Sequence, residues 1–109
     1  IHDYDGLFDV DFSSTKLERV RSGESAMDHA MLFTGVDLDE AGQPRAWRVE
    51  NSWGDEPGDS GFFTMDDQWF TDNVFEVVVP KSALPEDLAA AVDSEPIVLP
   101  AWDPMGTLA

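Results

Sequence analysis

Between Trp47 and Asn51 apolar and polar side chains alternate. Trp47 and Val49 share one side of an extended chain and Arg48 and Glu50 the other, so period 2 places Asn51 on the apolar side. The stretch from His29 to Leu38, HAMLFTGVDL, is apolar on both faces, the pattern of a buried strand. Residues 39–44, DEAGQP, carry turn chemistry, so the two stretches read as an antiparallel hairpin. Further on, GFFTM reads as a strand, DDQWFTDN as an acid-started helical turn, and VFEVVV at 74–79 as a strand suited to a central position. Thr15 and Glu18 form a capping box, Leu17 and Val20 share a face and Gly23 offers a stop, which predicts a helix over 15–22. Pro85 fits the first turn of a second helix, PEDLAAAV. Residues 1–12 give a poor signal for either regular state. The expected class is α+β, an antiparallel sheet with short helices.

Composition narrows the partners. The 109 residues suggest one domain and carry four Trp, seven Phe and one Tyr, too many aromatics for a disordered acidic tail. A formal charge of -17 is spread along the chain and marks a solvated surface, so neither nucleic acid nor an anionic membrane is an expected partner. No apolar run approaches the ~20 residues of a membrane span, and no secretory leader pattern opens the chain. A cytoplasmic location is the expectation. The absence of cysteine removes any disulfide framework or thiolate zinc site. Ile1 in place of an initiating Met suggests a processed or truncated piece.

Metal readings are weak. An EF-hand register on Asp3, Asp5 and Gly6 would put Ile1 at the first ligand position and Phe12 at the bidentate glutamate. In the loop GDEPGDSG, Asp55, Glu56 and Asp59 sit among glycines, a pattern typical of a solvated connection. No metal and no cofactor are expected. His2 reads as a surface residue.

The chemistry lies in the hairpin. The midpoint of His29 and Asn51 is position 40, inside the turn, so antiparallel pairing brings the two residues opposite or diagonal to one another. Directly opposite Cβ atoms lie about 4.5–5.5 Å apart, within hydrogen-bonding reach of an imidazole and an amide. Asn51 is expected to accept from one ring nitrogen of His29 and fix its tautomer, with Trp53 covering the pair. The other ring nitrogen is then left for general base chemistry. From spacing alone a satisfied polar pair in a core is the favoured reading, since any hairpin of this size creates such a pair.

MDHAMLFTGV followed by WRVENSWGDEPGDSGFF resembles the histidine and asparagine motifs of papain-like cysteine peptidases. GESAMDHAM, EVVVPKSALPEDL and the ending EPIVLPAWDPMGTLA are similar, more specifically, to the bleomycin hydrolase and aminopeptidase C family, of whose fold this chain would be the C-terminal part. By that resemblance His29 is the catalytic histidine, Asn51 the orienting asparagine and Trp53 their shield. The resemblance implies residues 1–94 as part of the peptidase domain and 95–109 as an extended arm in the substrate cleft. The carboxylate of Ala109 would there meet the free amino group of a peptide substrate. It also implies a cytosolic homohexamer that removes N-terminal residues from peptides.

Two features depart from the family. Its nucleophilic cysteine belongs about 130–150 residues before the histidine, and its oxyanion-hole glutamine is also upstream. The chain contains neither, since Gln43 and Gln68 sit in unrelated contexts. Taken alone it is expected to be inactive and to need the preceding part of the same peptidase. Asp28 stands where relatives tend to have threonine, and Thr107 where a smaller alanine is expected. The alternative from a different class is a non-catalytic acidic binding or assembly domain.

Overall fold

The computed structural model describes residues 3–9 and 11–106. Helices α1 (Tyr4–Phe8) and α2 (Lys16–Ser22) precede strands β1 (Leu32–Leu38), β2 (Pro44–Glu50) and β3 (Phe62–Asp66). Helices α3 (Asp67–Asn73) and α4 (Glu86–Val92) follow, with 3-10 turns at Lys81–Ala83 and Pro104–Gly106. The sheet is antiparallel in the order β1-β2-β3.

Local chemistry sets the ends of these elements. Thr15 and Glu18 form the expected reciprocal cap on α2, and Gly23 closes it with its N–H on Val20 O. Two hydrogen bonds from Thr15, the backbone N–H foremost, hold the Glu18 carboxyl below the ordinary carboxylate range. α1 arises where no regular element was expected, because Asp3 Oδ1 accepts from Gly6 N–H at 2.9 Å. Asp66 ends β3 and caps α3, accepting from Trp69 N–H at 2.7 Å. Pro85 is the N-cap of α4, one residue ahead of the helix it was expected to begin.

The sheet packs one face against α3. Val49, 1% exposed, lies opposite Phe63, and buried Met65 lies opposite Trp47. The Trp47 and Phe70 rings stack at 4.8 Å, Phe33 meets both edge-on, and Trp47 Nε1 donates to Asp67 Oδ1 at 2.9 Å. α2 clasps the far end of α3. Lys16 Nζ donates to the carbonyls of Thr71 and Val74, and Arg19 donates to that of Asp72. Cations thus satisfy acceptors that a helix C-terminus leaves open. On the opposite face Arg48 lies 4.1 Å over the Phe62 ring.

Three sequence expectations are corrected. β1 begins at Leu32, not His29: Leu32 pairs with Glu50, the last residue of β2, so earlier residues have no ladder partner on that strand. β1 is also largely exposed, since among the described residues nothing covers its outer edge. Residues 74–79 form no strand, since among the described residues no strand pairs with them, and Val78 stands 88% exposed. High β propensity does not suffice without a partner.

The chain is open. Its surface of 9082 Å² compares with about 6,000 Å² for a folded monomer of this mass, and its radius of gyration of 17.4 Å with about 13 Å for this length. Ile97 and Trp102 are 89% and 81% exposed. Such area favours association, while the charge of -17 opposes it. Light scattering on the isolated chain is therefore expected to give a mass above 12.1 kDa that grows with concentration. The association should strengthen as salt shortens the Debye length from about 30 Å to about 8 Å. A monomer at every salt concentration would contradict this balance.

Candidate active site

His29 and Asn51 meet where the hairpin ladder ends. Asn51 is the first residue past β2, and its backbone N–H donates to Gly61 O at 3.0 Å. That bond continues the β2–β3 register, in which Glu50 faces Phe62, and fixes the base of its side chain. His29 lies three residues before β1. Continuing the Leu32 to Glu50 register would put residue 31 opposite Asn51, so the approach is diagonal.

Asn51 Oδ1 and His29 Nε2 are 2.8 Å apart. The same oxygen accepts from Ser52 N–H at 2.8 Å. A backbone N–H can only donate, so the atom it meets is the amide oxygen and not the nitrogen. His29 must then donate from Nε2. The neutral imidazole is thereby set as the Nε2–H tautomer, and Nδ1 carries the lone pair.

Trp53 stacks on this imidazole, with ring centroids 5.2 Å apart and planes at 29°. The indole is 64% exposed, so it shields one face of the pair without enclosing it. Its other ring neighbour is Phe63 on β3, met edge-on at 6.3 Å. Phe63 was not singled out in the sequence, where one aromatic in GFFTM looks like any other strand residue.

The remaining candidates lie apart from this cluster. Gln43 closes the hairpin turn, its N–H on Asp39 Oδ1, and Gln68 Nε2 donates to Asp72 within α3. Asp55, Glu56 and Asp59 lie in the 52–61 connection, and among the described residues no three His, Asp or Glu side chains converge to hold a metal ion. Asp28 is exposed. His2, Thr107 and Ala109 lie outside the described residues. No described helix is long and apolar enough to cross a membrane.

Comparisons with known proteins identify the family of the chain. Residues 1–106 match the Peptidase C1-like family. Aminopeptidase C of Lactobacillus helveticus is 54% identical over 108 residues, which cover 96% of this chain and 24% of that protein. Bleomycin hydrolase of Rattus norvegicus is 49% identical, and that of Homo sapiens 47%, each over the whole chain and 25% of the relative. The crystal structure of PepW from Lactobacillus rhamnosis superposes with a TM-score of 0.82 at 48% identity, covering all of this chain and 25% of that one. The chain thus spans about a quarter of the length of the relatives it matches. Its antiparallel sheet with short helices is the fold expected from the sequence, and with all its described residues inside the matched span the chain belongs to the Peptidase C1-like family.

Proposed function

We propose that this chain is the C-terminal, histidine- and asparagine-bearing part of a cysteine aminopeptidase of the bleomycin hydrolase type, acting on peptides. The observation that carries the reading is the doubly engaged Asn51 oxygen, which aims the lone pair of His29 Nδ1 away from the amide. The nucleophile must come from elsewhere in the complete polypeptide, because this chain has no cysteine.

In that assembly Nδ1 takes the proton of the thiol, giving a thiolate beside an imidazolium. The sulfur attacks the carbonyl carbon of the first peptide bond. The tetrahedral adduct then collapses, the C–N bond breaks, and the Nδ1 proton passes to the departing amine. Water next loses a proton to Nδ1 as its oxygen attacks the thioester, and thiolate leaves. Asn51 keeps its bond to Nε2–H throughout, so the ring cannot turn between its two proton transfers. Trp53 limits competition from water for that bond.

The arm, residues 95–109, supplies the preference for free N-termini. Prolines at 96, 100 and 104 keep it out of regular sheet, and its apolar side chains at Ile97, Val98 and Trp102 are not buried against this chain. The turn at Pro104–Gly106 lies against α2. A terminal carboxylate at Ala109, with a pKa of about 3.3–3.7, would attract a peptide amine, largely charged at neutral pH, and the arm would obstruct longer chains. A cytosolic homohexamer, the assembly of the family it resembles, is the setting we assign to it.

In the complete peptidase, His29→Ala is expected to lower turnover of aminoacyl reporter amides by about 10²- to 10⁴-fold. Asn51→Ala should reduce kcat with KM little changed. The isolated chain should show no turnover, and robust activity insensitive to thiol reagents would overturn the assignment. Removing Leu108 and Ala109 from the complete enzyme should weaken its discrimination between free and blocked N-termini. An unaltered preference would refute the role of the arm.

A further inference from the structure

We infer that Phe63 is a positioning residue for the histidine–asparagine pair, acting through Trp53 in the space that Gly58 leaves open. The inference rests on His29 being the reacting imidazole and adds the part of the fold that holds its shield in place. Among the described residues the exposed indole of Trp53 has two aromatic neighbours, His29 and Phe63. The Trp53 and Phe63 planes stand at 84°, the edge-to-face arrangement that the ring quadrupoles favour.

Phe63 is itself held firmly. Its backbone lies opposite Val49, the most buried side chain of the sheet. Gly58 adopts φ 68°, and a Cβ there would lie 2.4 Å from Phe62 O and 3.0 Å from Phe63 Cζ. No side chain fits that gap without displacing the ring or the strand. Paired hydrogen bonds between Asp59 and Phe62, at 2.9 and 3.1 Å, and one from Gly61 N–H to Pro57 O close the loop over it. The loop that leaves Asn51 thus carries Trp53 outward and returns to place Phe63 against it.

The mechanical consequence follows from this geometry. Without an aromatic edge at 63 the indole is free to swing off the imidazole. Water then reaches the Asn51 oxygen and competes with Nε2–H, and His29 samples rotamers in which Nδ1 no longer faces the thiol. Among the described residues no ring stacking or hydrogen bond joins Phe63 to His29 or the amide, so its loss acts on orientation and falls on kcat more than on KM.

The test uses the complete peptidase, reading kcat and KM, and, with the thiol methylated so that the imidazole is neutral, the ¹⁵N shifts of the two His29 ring nitrogens, which report the tautomer. Phe63→Leu is expected to lower kcat by about tenfold or more and to reduce the Nε2–H tautomer. Phe63→Tyr, which keeps the aromatic edge, should restore both. Met65→Ala, a core change on the same strand, should lower the thermal midpoint with the tautomer unmoved. Should Phe63→Leu not fold, Phe63→Met fills the volume without an aromatic edge and carries the same expectation. Wild-type kcat and tautomer in the aliphatic variants overturn the positioning role, as does failure of Phe63→Tyr to rescue or a tautomer shift in Met65→Ala. If His29→Ala retains turnover, it is the functional reading beneath that falls.

Discussion

One oxygen atom organises the functional end of this molecule. Asn51 Oδ1 accepts from the backbone of Ser52 and from the ring of His29, and the first of these bonds decides what the second must be. Had the amide nitrogen faced the ring, the Ser52 N–H would have met another donor, an arrangement that leaves a polar group unpaired at a cost of about 1–3 kcal/mol. The tautomer of the histidine is therefore written into the backbone one residue away. That bond forms just past the end of the β1–β2 ladder at Leu32 and Glu50, while the Asn51 N–H still follows the β2–β3 register to Gly61. The imidazole is thus oriented at the first position beyond the β1–β2 ladder, on a residue that β3 still holds.

The sheet can present that end only because its other face is fastened. The Phe33, Trp47 and Phe70 rings tie α3 beneath the strands, and Lys16 and Arg19 of α2 close the carbonyl end of α3. In a chain with 23 acidic and six basic residues this use of two cations is notable, since neither takes part in the ion pairs at Arg45–Asp37 and Lys81–Asp93. Those pairs are exposed and worth little. The inward hydrogen bonds of Lys16 and Arg19 go to carbonyls that would otherwise lack partners, where they contribute more than surface pairing would.

What the sequence makes legible divides by the range of the interaction. The α2 cap could be read because Thr15 and Glu18 find each other within one turn. The hairpin could be read because its turn is local, and the nearness of His29 and Asn51 follows from the turn's position by counting alone. α1 was missed because its signal is a single Asp3 side chain on Gly6 N–H, which a mixed acidic and apolar stretch hides. Residues 74–79 misled because their β-branched run records a preference, whereas a strand is a relation between two segments. Phe63 was illegible for another reason. Its relation to Trp53 spans a loop with left-handed glycines, and nothing in the letters says that the loop folds back on its own second residue.

The openness of the chain and the order of its site fit together on physical grounds. Side chains such as Val78, Ile97 and Trp102 stand in solvent, which raises the free energy of the chain through exposed apolar area. None of them contacts the His29, Asn51 and Trp53 cluster through the ring or hydrogen-bonding partners described above. The cluster instead draws on bonds between near neighbours: one residue for Ser52, ten for Gly61, and the twenty-two that the hairpin closes to His29. Short closures cost little entropy, since the penalty rises only with the logarithm of loop length. An imidazole held by such local bonds can keep its orientation while apolar surfaces elsewhere on the chain stand exposed. The orientation of the imidazole is then supplied from within its own stretch of chain.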